Sequence, residues 1–344
     1  MRCWPDATGR SPTGTGTEEE GVVIEERFVV GTGRCGSTLL ARMLGAHTEV
    51  VPIHEFFTGL DWGRRFAPGL VDGPAFAELV AAEQPVTTQV LARGYTSDEI
   101  RYPFGSPGAR FTPGDPVPWL LVTMLSRLTD DPDPVFDELV AMATARPPAT
   151  MADHYRALFG WLTERFGGSV WVERSGSSID YLGELATLFP RARFVHIHRD
   201  GPEAALSIRN HPFYRLGVAL LLDLFPDTGD PDAAVDAVLA TPPPCAAVGR
   251  YWSDQVLRGF RALAAMDPSR YLAVRFEDLL ARPRQVLAEI AAFFELPADP
   301  GFLDRASAMV DRPPANRVDD LPADERAELT EACRPGQVLL GRAD

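Results

Sequence analysis

A short β-branched and aromatic run, Arg27-Phe-Val-Val30, leads straight into Gly31-Thr-Gly-Arg-Cys-Gly-Ser-Thr38, and Leu39, Leu40, Met43 and Leu44 follow at helical spacing. Strand, glycine loop and helix in that order constrain the chain more than any other feature. Glycines let backbone N–H groups converge and a helix N-terminus adds positive potential, so the loop is suited to a phosphate or a similar anion. The spacing of Gly31 and Gly36 imitates the G-x-x-x-x-G-K-[ST] phosphate loop. Ser37, however, stands where that motif has Lys, and the loop's cation is Arg34. This disfavours ATP hydrolysis and phosphoryl transfer.

The missing Lys is general: the 33 basic residues are all Arg. Any chemistry that needs a cation must therefore use a permanently charged planar fork, which suits phosphate and sulfate oxygens. The net charge of -15 argues against broad binding of nucleic acid or anionic membranes, so an anionic ligand has to be gripped locally. The four cysteines, Cys3, Cys35, Cys245 and Cys333, form no C-x-x-C pair, which suggests neither a zinc site nor a disulfide framework and fits a reducing cytoplasm. The most apolar run, residues 216–222, is too short to span a bilayer, and no secretory leader is read.

Residues 1–22 are rich in Gly, Thr, Ser, Pro and Glu and read as a flexible tail, with structure starting near Val23. Beyond the first helix, residues 58–148 are irregular and punctuated by Pro and Gly, with helical pieces at 76–82, 119–128 and 135–143. They are expected to be a largely helical insertion covering one end of a sheet. Regular alternation then returns. Strands are expected from Val170, from Arg193 to His198 and from Tyr271 to Phe276, with helices at 182–189, 203–209 and 285–294. Such alternation implies one α/β domain, 23–344, with a phosphate-loop-like, mostly parallel sheet flanked by helices and its ligands at the carboxyl ends of the strands.

The strand Arg193 to His198 ends in Arg199-Asp-Gly-Pro-Glu-Ala-Ala-Leu-Ser207, so Arg199 and Ser207 can reach one anion from a strand end and a helix. The bland alternative pairs Arg199 with Asp200 or Glu203. Together with Gly33-Arg-Cys-Gly-Ser-Thr-Leu-Leu40, this segment resembles the two nucleotide signatures of the sulfotransferases that use 3′-phosphoadenosine-5′-phosphosulfate (PAPS). The form resembled is the one with Arg in the first loop, as in tyrosylprotein sulfotransferases and many bacterial relatives. Leu272-Ala-Val-Arg-Phe-Glu-Asp-Leu-Leu-Ala-Arg-Pro283, leading to Leu296-Pro297, resembles the family's late strand and helix.

The resemblance implies a cradle for the 5′-phosphosulfate at Arg34, Cys35, Gly36, Ser37 and Thr38, and a 3′-phosphate site at Arg199 and Ser207. Phe276 falls where relatives often carry a Tyr near the nucleotide, and Arg317 where they often place a closing basic residue. His211 and Arg209 are further candidates for the 3′-phosphate. The segment from Ala46 to Glu55 resembles the second strand of the tyrosylprotein-type enzymes, which carries a carboxylate base. Glu55 is the expected general base, and its neighbour His54 the runner-up, since other members of the family use a His. Trp171-Val-Glu-Arg174-Ser-Gly176 resembles a strand that ends in Lys and is followed by Pro. Arg174 and Gly176 replace those two residues, which assigns Arg174 to electrostatic stabilisation, with pairing to Glu173 or Glu184 as the alternative. No metal is required.

The implied activity is in-line sulfuryl transfer to a hydroxyl, or an amine, of a small acceptor. The rivals are a small-molecule kinase or NTPase and a PAPS-binding relative without turnover. The insertion and the apolar stretch after His211 favour a partly apolar alcohol or phenol as acceptor.

Overall fold

The computed structural model describes residues 26–310 and 316–342. The expected tail 1–22, the start at Val23, and Cys3 lie outside the described residues.

Five parallel strands form the central sheet: β1 (Arg27–Val30), β2 (Val50–His54), β3 (Val170–Arg174), β4 (Arg193–His198) and β5 (Tyr271–Arg275), in the order β2-β3-β1-β4-β5. The β-branched and aromatic content of β1 suits a strand covered on both faces, and Phe28, Val29 and Val30 are all fully buried. Side chains alternate as the pleat requires. Phe28 and Val30 face an aromatic core with Phe57, Phe159, Trp171 and Phe194. Val29 faces a second core with Leu40, Met43, Val195 and Ile290.

Because every strand runs the same way, the loops that leave β1, β2, β3 and β4 emerge at one end of the sheet. The chain leaves β1 toward β2 on one side and enters β4 on the other, so the first loop stands where the strand order reverses, the usual ligand position of such sheets. Helix α1 (Ser37–Leu44) follows this loop.

Between β2 and β3 lie the helices Gly73–Ala81, Pro85–Ala92, Trp119–Thr123 and Pro132–Thr144, so residues 58–148 are largely helical or irregular as expected. The piece expected at 119–128 is not one helix: it is a five-residue α-helix, Trp119–Thr123, followed by 3-10 geometry at Leu125–Arg127. A two-residue antiparallel ladder, Leu70–Val71 with Ala149–Thr150, ties the two ends of this region together. Phe276 is the first residue of a helix, not the last of β5.

Four further helices complete the surroundings of the site: α2 (Met151–Arg165), α3 (Gly201–Arg209), α4 (Pro212–Leu222) and α5 (Cys245–Leu263). The C-terminal helix α6 (Ala323–Leu339) packs along α5. Glycine permits that approach: a Cβ on Gly249 would lie 2.6 Å from the Cβ of Ala332, and one on Gly336 would lie 2.6 Å from the Trp252 ring. Among the described residues no helix is long and apolar enough to cross a membrane.

Candidate functional site at the end of the sheet

The first loop turns by way of two left-handed residues, Arg34 at φ 61° and Gly36 at φ 96°. Gly31 is held by close approach, since a Cβ there would sit 2.6 Å from both Cys35 Sγ and the Ile197 carbonyl oxygen. Leu40 N–H is the first to find a helical acceptor, Gly36 O at 3.2 Å, so the amides of the preceding turn have no helical partner and point to the same end as the loop. Cys35 is fully buried in the core with Val29 and Ile197, and burial raises its thiol pKa, so its side chain faces away from any ligand and only its backbone can take part.

Arg174, at the last position of β3, is the hub. Its Nε donates to Ser37 Oγ at 2.8 Å and one terminal nitrogen donates to Thr38 Oγ1 at 2.6 Å. The other terminal nitrogen pairs with Glu55. Glu173 and Glu184 are not its partners. Burial works against the charge of Arg174, but Glu55 and Glu99 raise its pKa overall.

Glu55, expected on the second strand, instead follows β2, takes φ 54°, and heads the short turn Phe56–Gly59. Its amide donates to Arg174 O at 2.7 Å, and its second carboxylate oxygen accepts from Gly176 N at 2.8 Å. The missing Pro at position 176 thus supplies a donor that Pro lacks. Trp119, from the insertion, donates its indole N–H to the Glu55 carbonyl.

His54 lies in the strand before Glu55 and points elsewhere. It is 3% exposed, makes no hydrogen bond to any loop residue, and its Nδ1 is buried without a partner. Burial first, and then Arg174, Arg127 and Arg42, hold its pKa well below the ordinary histidine value, so it is neutral.

Arg34 reaches the other expected cluster: its Nε donates to Ser207 Oγ on α3 at 3.3 Å. Arg199 lies over the Phe276 ring, 5.5 Å from its centroid, and Phe276 packs against Gly36, where a Cβ would sit 2.2 Å from the ring. Arg199 also pairs with Glu203 at 3.2 Å, so the bland alternative describes one of its contacts. Exposed Arg317 is close enough to depress the pKa of Arg199, for which burial is the larger cause. Arg209 turns away, to Pro243 O at 2.8 Å and to Glu325 at 3.0 Å.

Two contributors went unread in the sequence. Glu99, from the insertion, accepts from Arg34 at 2.7 Å and contacts His211 Nε2 at 3.2 Å. Burial alone would raise its pKa, but His211 and Arg34 hold it well below the usual carboxylate range. Tyr214, on α4, lies where a Cβ on Gly33 would be 2.4 Å from its hydroxyl, and that hydroxyl is 3.3 Å from Ser177 Oγ. Tyr214 lies 181 residues along the chain from Gly33, so no local spacing shows this approach. Among the described residues no group of three or more His, Cys, Asp or Glu is arranged to hold a metal ion.

No protein-family model matches the chain, and no curated protein matches it. Solved structures that the chain matches include the following three. The sulfotransferase domain from the curacin biosynthetic pathway has 14% identity and a TM-score of 0.47, over 93% of this chain and 99% of that one. The sulfotransferase STF9 from Mycobacterium avium has 17% identity and a TM-score of 0.47, over 94% of this chain and 78% of that one. A sulfotransferase from Alicyclobacillus acidocaldarius has 18% identity and a TM-score of 0.41, over 94% and 98% respectively.

Proposed function

We propose that the chain is a sulfotransferase that moves the sulfuryl group of PAPS to a hydroxyl of a small acceptor. One observation carries this reading: segments far apart in sequence that resemble the donor-binding signatures meet at one end of the sheet, with Arg34 and Ser207, 173 residues apart, 3.3 Å from each other. The glycine loop and the amides ahead of Leu40 suit the 5′-phosphosulfate, with Ser37, Thr38 and Arg174 around it. Arg199, Ser207 and Arg317 suit the 3′-phosphate, and Phe276 offers a face for packing rather than a hydroxyl.

In the step we infer, the acceptor oxygen attacks sulfur and the bond between sulfur and the 5′-phosphate oxygen breaks. Glu55 takes the acceptor proton, and adenosine 3′,5′-bisphosphate leaves. Arg174 is permanently charged, so it offsets the charge that builds on the transferred group and donates no proton. Arg34, Arg174 and Arg199 already have carboxylate partners, Glu99, Glu55 and Glu203. The incoming donor therefore exchanges with Glu99 at Arg34 and with Glu203 at Arg199, which keeps these cations from repelling one another before it arrives. Cys35, Cys245 and Cys333 are free and buried, in keeping with work in a reducing cytoplasm. We take residues 23–344 as one catalytic unit, with 58–148 on its acceptor side.

The test is thermal stabilisation of the protein by adenosine 3′,5′-bisphosphate, compared with ADP and with ATP and magnesium. The bisphosphate should raise the melting temperature saturably, ATP should hardly do so, and Arg199→Ala should abolish the effect. A larger shift with ATP and magnesium would favour phosphoryl transfer. Binding of the bisphosphate without sulfation of any acceptor would favour an inert relative.

A further inference from the structure

A cleft of about 480 Å³ opens beside the β2 edge of the sheet, lined by Arg42, Pro52, His54, Arg101, Arg127 and Met309 among others. Among the described residues that line it are three guanidinium groups and no carboxylate, in a chain whose net charge is -15. Among the described residues, the side chains of Arg42 and Arg101 have no ion pair or hydrogen bond. Arg127 donates to the Asp98 carbonyl at 2.8 Å, while its Nε is buried without a partner. His54, 3% exposed, lines the same cleft and, among the described residues, its buried Nδ1 has no hydrogen-bond partner. Converging like charges and an orphaned buried polar ring are costly unless something of opposite charge fills the space. For Arg127, burial and then Arg101 and Arg174 depress its pKa, which records that tension.

The cleft adjoins the reacting end of the site. Arg42 stands one helical turn beyond Thr38 on α1, and Thr38 is held by Arg174 at 2.6 Å. His54 immediately precedes Glu55. Arg199 and Ser207, in contrast, lie on the β4 side of the loop. An occupant of the cleft would therefore sit beside the strand end that carries Glu55, on the side away from the expected 3′-phosphate, with Glu55 and Arg174 next to the lining rather than in it.

We propose that this cleft docks the acceptor by an anionic group, a carboxylate or a phosphate or sulfate ester, carried on a hydroxyl-bearing small molecule. This adds an anionic group to the expected partly apolar alcohol or phenol. The inference rests on the sulfuryl-transfer reading for the word acceptor, but the anion site can be tested apart from it.

The experiment is calorimetric titration of the nucleotide-free chain with 4-hydroxyphenylacetate and 4-hydroxyphenyl phosphate, against methyl 4-hydroxyphenylacetate and inorganic phosphate. Charge-assisted contacts predict that the two acids bind about tenfold or more tightly than the ester. The double variant Arg42→Gln with Arg101→Gln, at two exposed positions, should remove that preference, and the corresponding Arg→Lys pair should retain most of it. Both double variants should bind adenosine 3′,5′-bisphosphate as the parent does, and the acid and the bisphosphate should bind together. Equal binding of acid and ester, or a preference that survives the Gln pair, would overturn the site. Inorganic phosphate binding as tightly as the acids would make it a site for free anions, and competition with the bisphosphate would make it part of the donor site; either result overturns the acceptor assignment. If the acids are preferred but the bisphosphate does not bind, the donor reading fails and the anion site stands.

Discussion

Glu173 shows how one residue can set a pH limit on the whole site. Its neighbours across the sheet are Phe28 on β1 and Ile53 on β2, so its carboxyl is fully buried against the aromatic core, and one oxygen has no partner. The other oxygen accepts from Ser175 Oγ, which itself accepts from Phe57 N at 2.9 Å, just past Glu55. Burial, reinforced by the nearby Glu55 charge, pushes the Glu173 pKa from 4.5 to about 8. The folded chain therefore holds a proton that the unfolded chain has released between these values. Stability from this group is fully present below about pH 4.5 and is lost as pH rises through about 8. Glu173→Gln keeps the neutral shape and removes the titration. Denaturant unfolding at pH 5 and pH 8 should show the parent losing a few kcal/mol more than the variant across that window. Equal losses would mean that Glu173 is ionised in the fold. In the sequence Glu173 and Arg174 are simply neighbours of opposite charge. In a strand they face opposite sides, and Arg174 finds Glu55, 119 residues away.

At the scale of elements, the phosphate loop has little room to vary. Gly36 combines φ 96° with the Phe276 ring against its α-carbon, so Gly36→Ala meets backbone strain and a steric clash together. We expect a cost of about 1–3 kcal/mol, from strain alone, with the added methyl driving Phe276 off the loop. Bisphosphate binding measured by calorimetry should weaken more than the melting temperature alone accounts for. Unchanged affinity would show that Phe276 is not part of the donor surface. This element was legible from the sequence because its signals are local: a strand run, glycines at fixed offsets, and Leu39, Leu40, Met43 and Leu44 on a helical period. Strands β3, β4 and β5 were legible for the same reason. Helix α5 also carries the period, in Val248, Trp252, Val256 and Gly259, but its packing depends on glycines and alanines that hydrophobic patterning passes over. Helix α6 hides further, with Pro335 inside it and only Leu329, Cys333 and Gly336 buried.

Across the whole molecule, distant segments hold the expected 3′-phosphate side in place, and no local pattern announces them. Near the C-terminus, Gln337 accepts from Gly201 N at 3.1 Å and donates to Asp200 at 3.0 Å, while Arg342 donates to His198 Nδ1 at 3.2 Å and pairs with Glu277. Trp252 of α5 fits between glycines of both partners, since a Cβ on Gly201 or on Gly336 would lie 2.6 Å from its ring. The strand end that carries Arg199 is thus fixed on one side by Gln337 of α6, 137 residues on from Asp200, and on the other by Arg342 just past that helix. Gln337→Ala with Arg342→Ala removes these ties without touching a residue assigned to the ligand. Hydrogen bonds of this kind contribute about 1 kcal/mol each, so the looser Arg199 segment should bind adenosine 3′,5′-bisphosphate about tenfold more weakly. The acid preference of the arginine cleft at the β2 edge should stay as it is, because that cleft lies on the far side of the loop. Calorimetry on the same preparations reads both sites. Unaltered bisphosphate affinity would mean that β4 and α3 position Arg199 unaided. Parallel weakening at both sites would mean that the last helix supports the sheet as a whole rather than its nucleotide side.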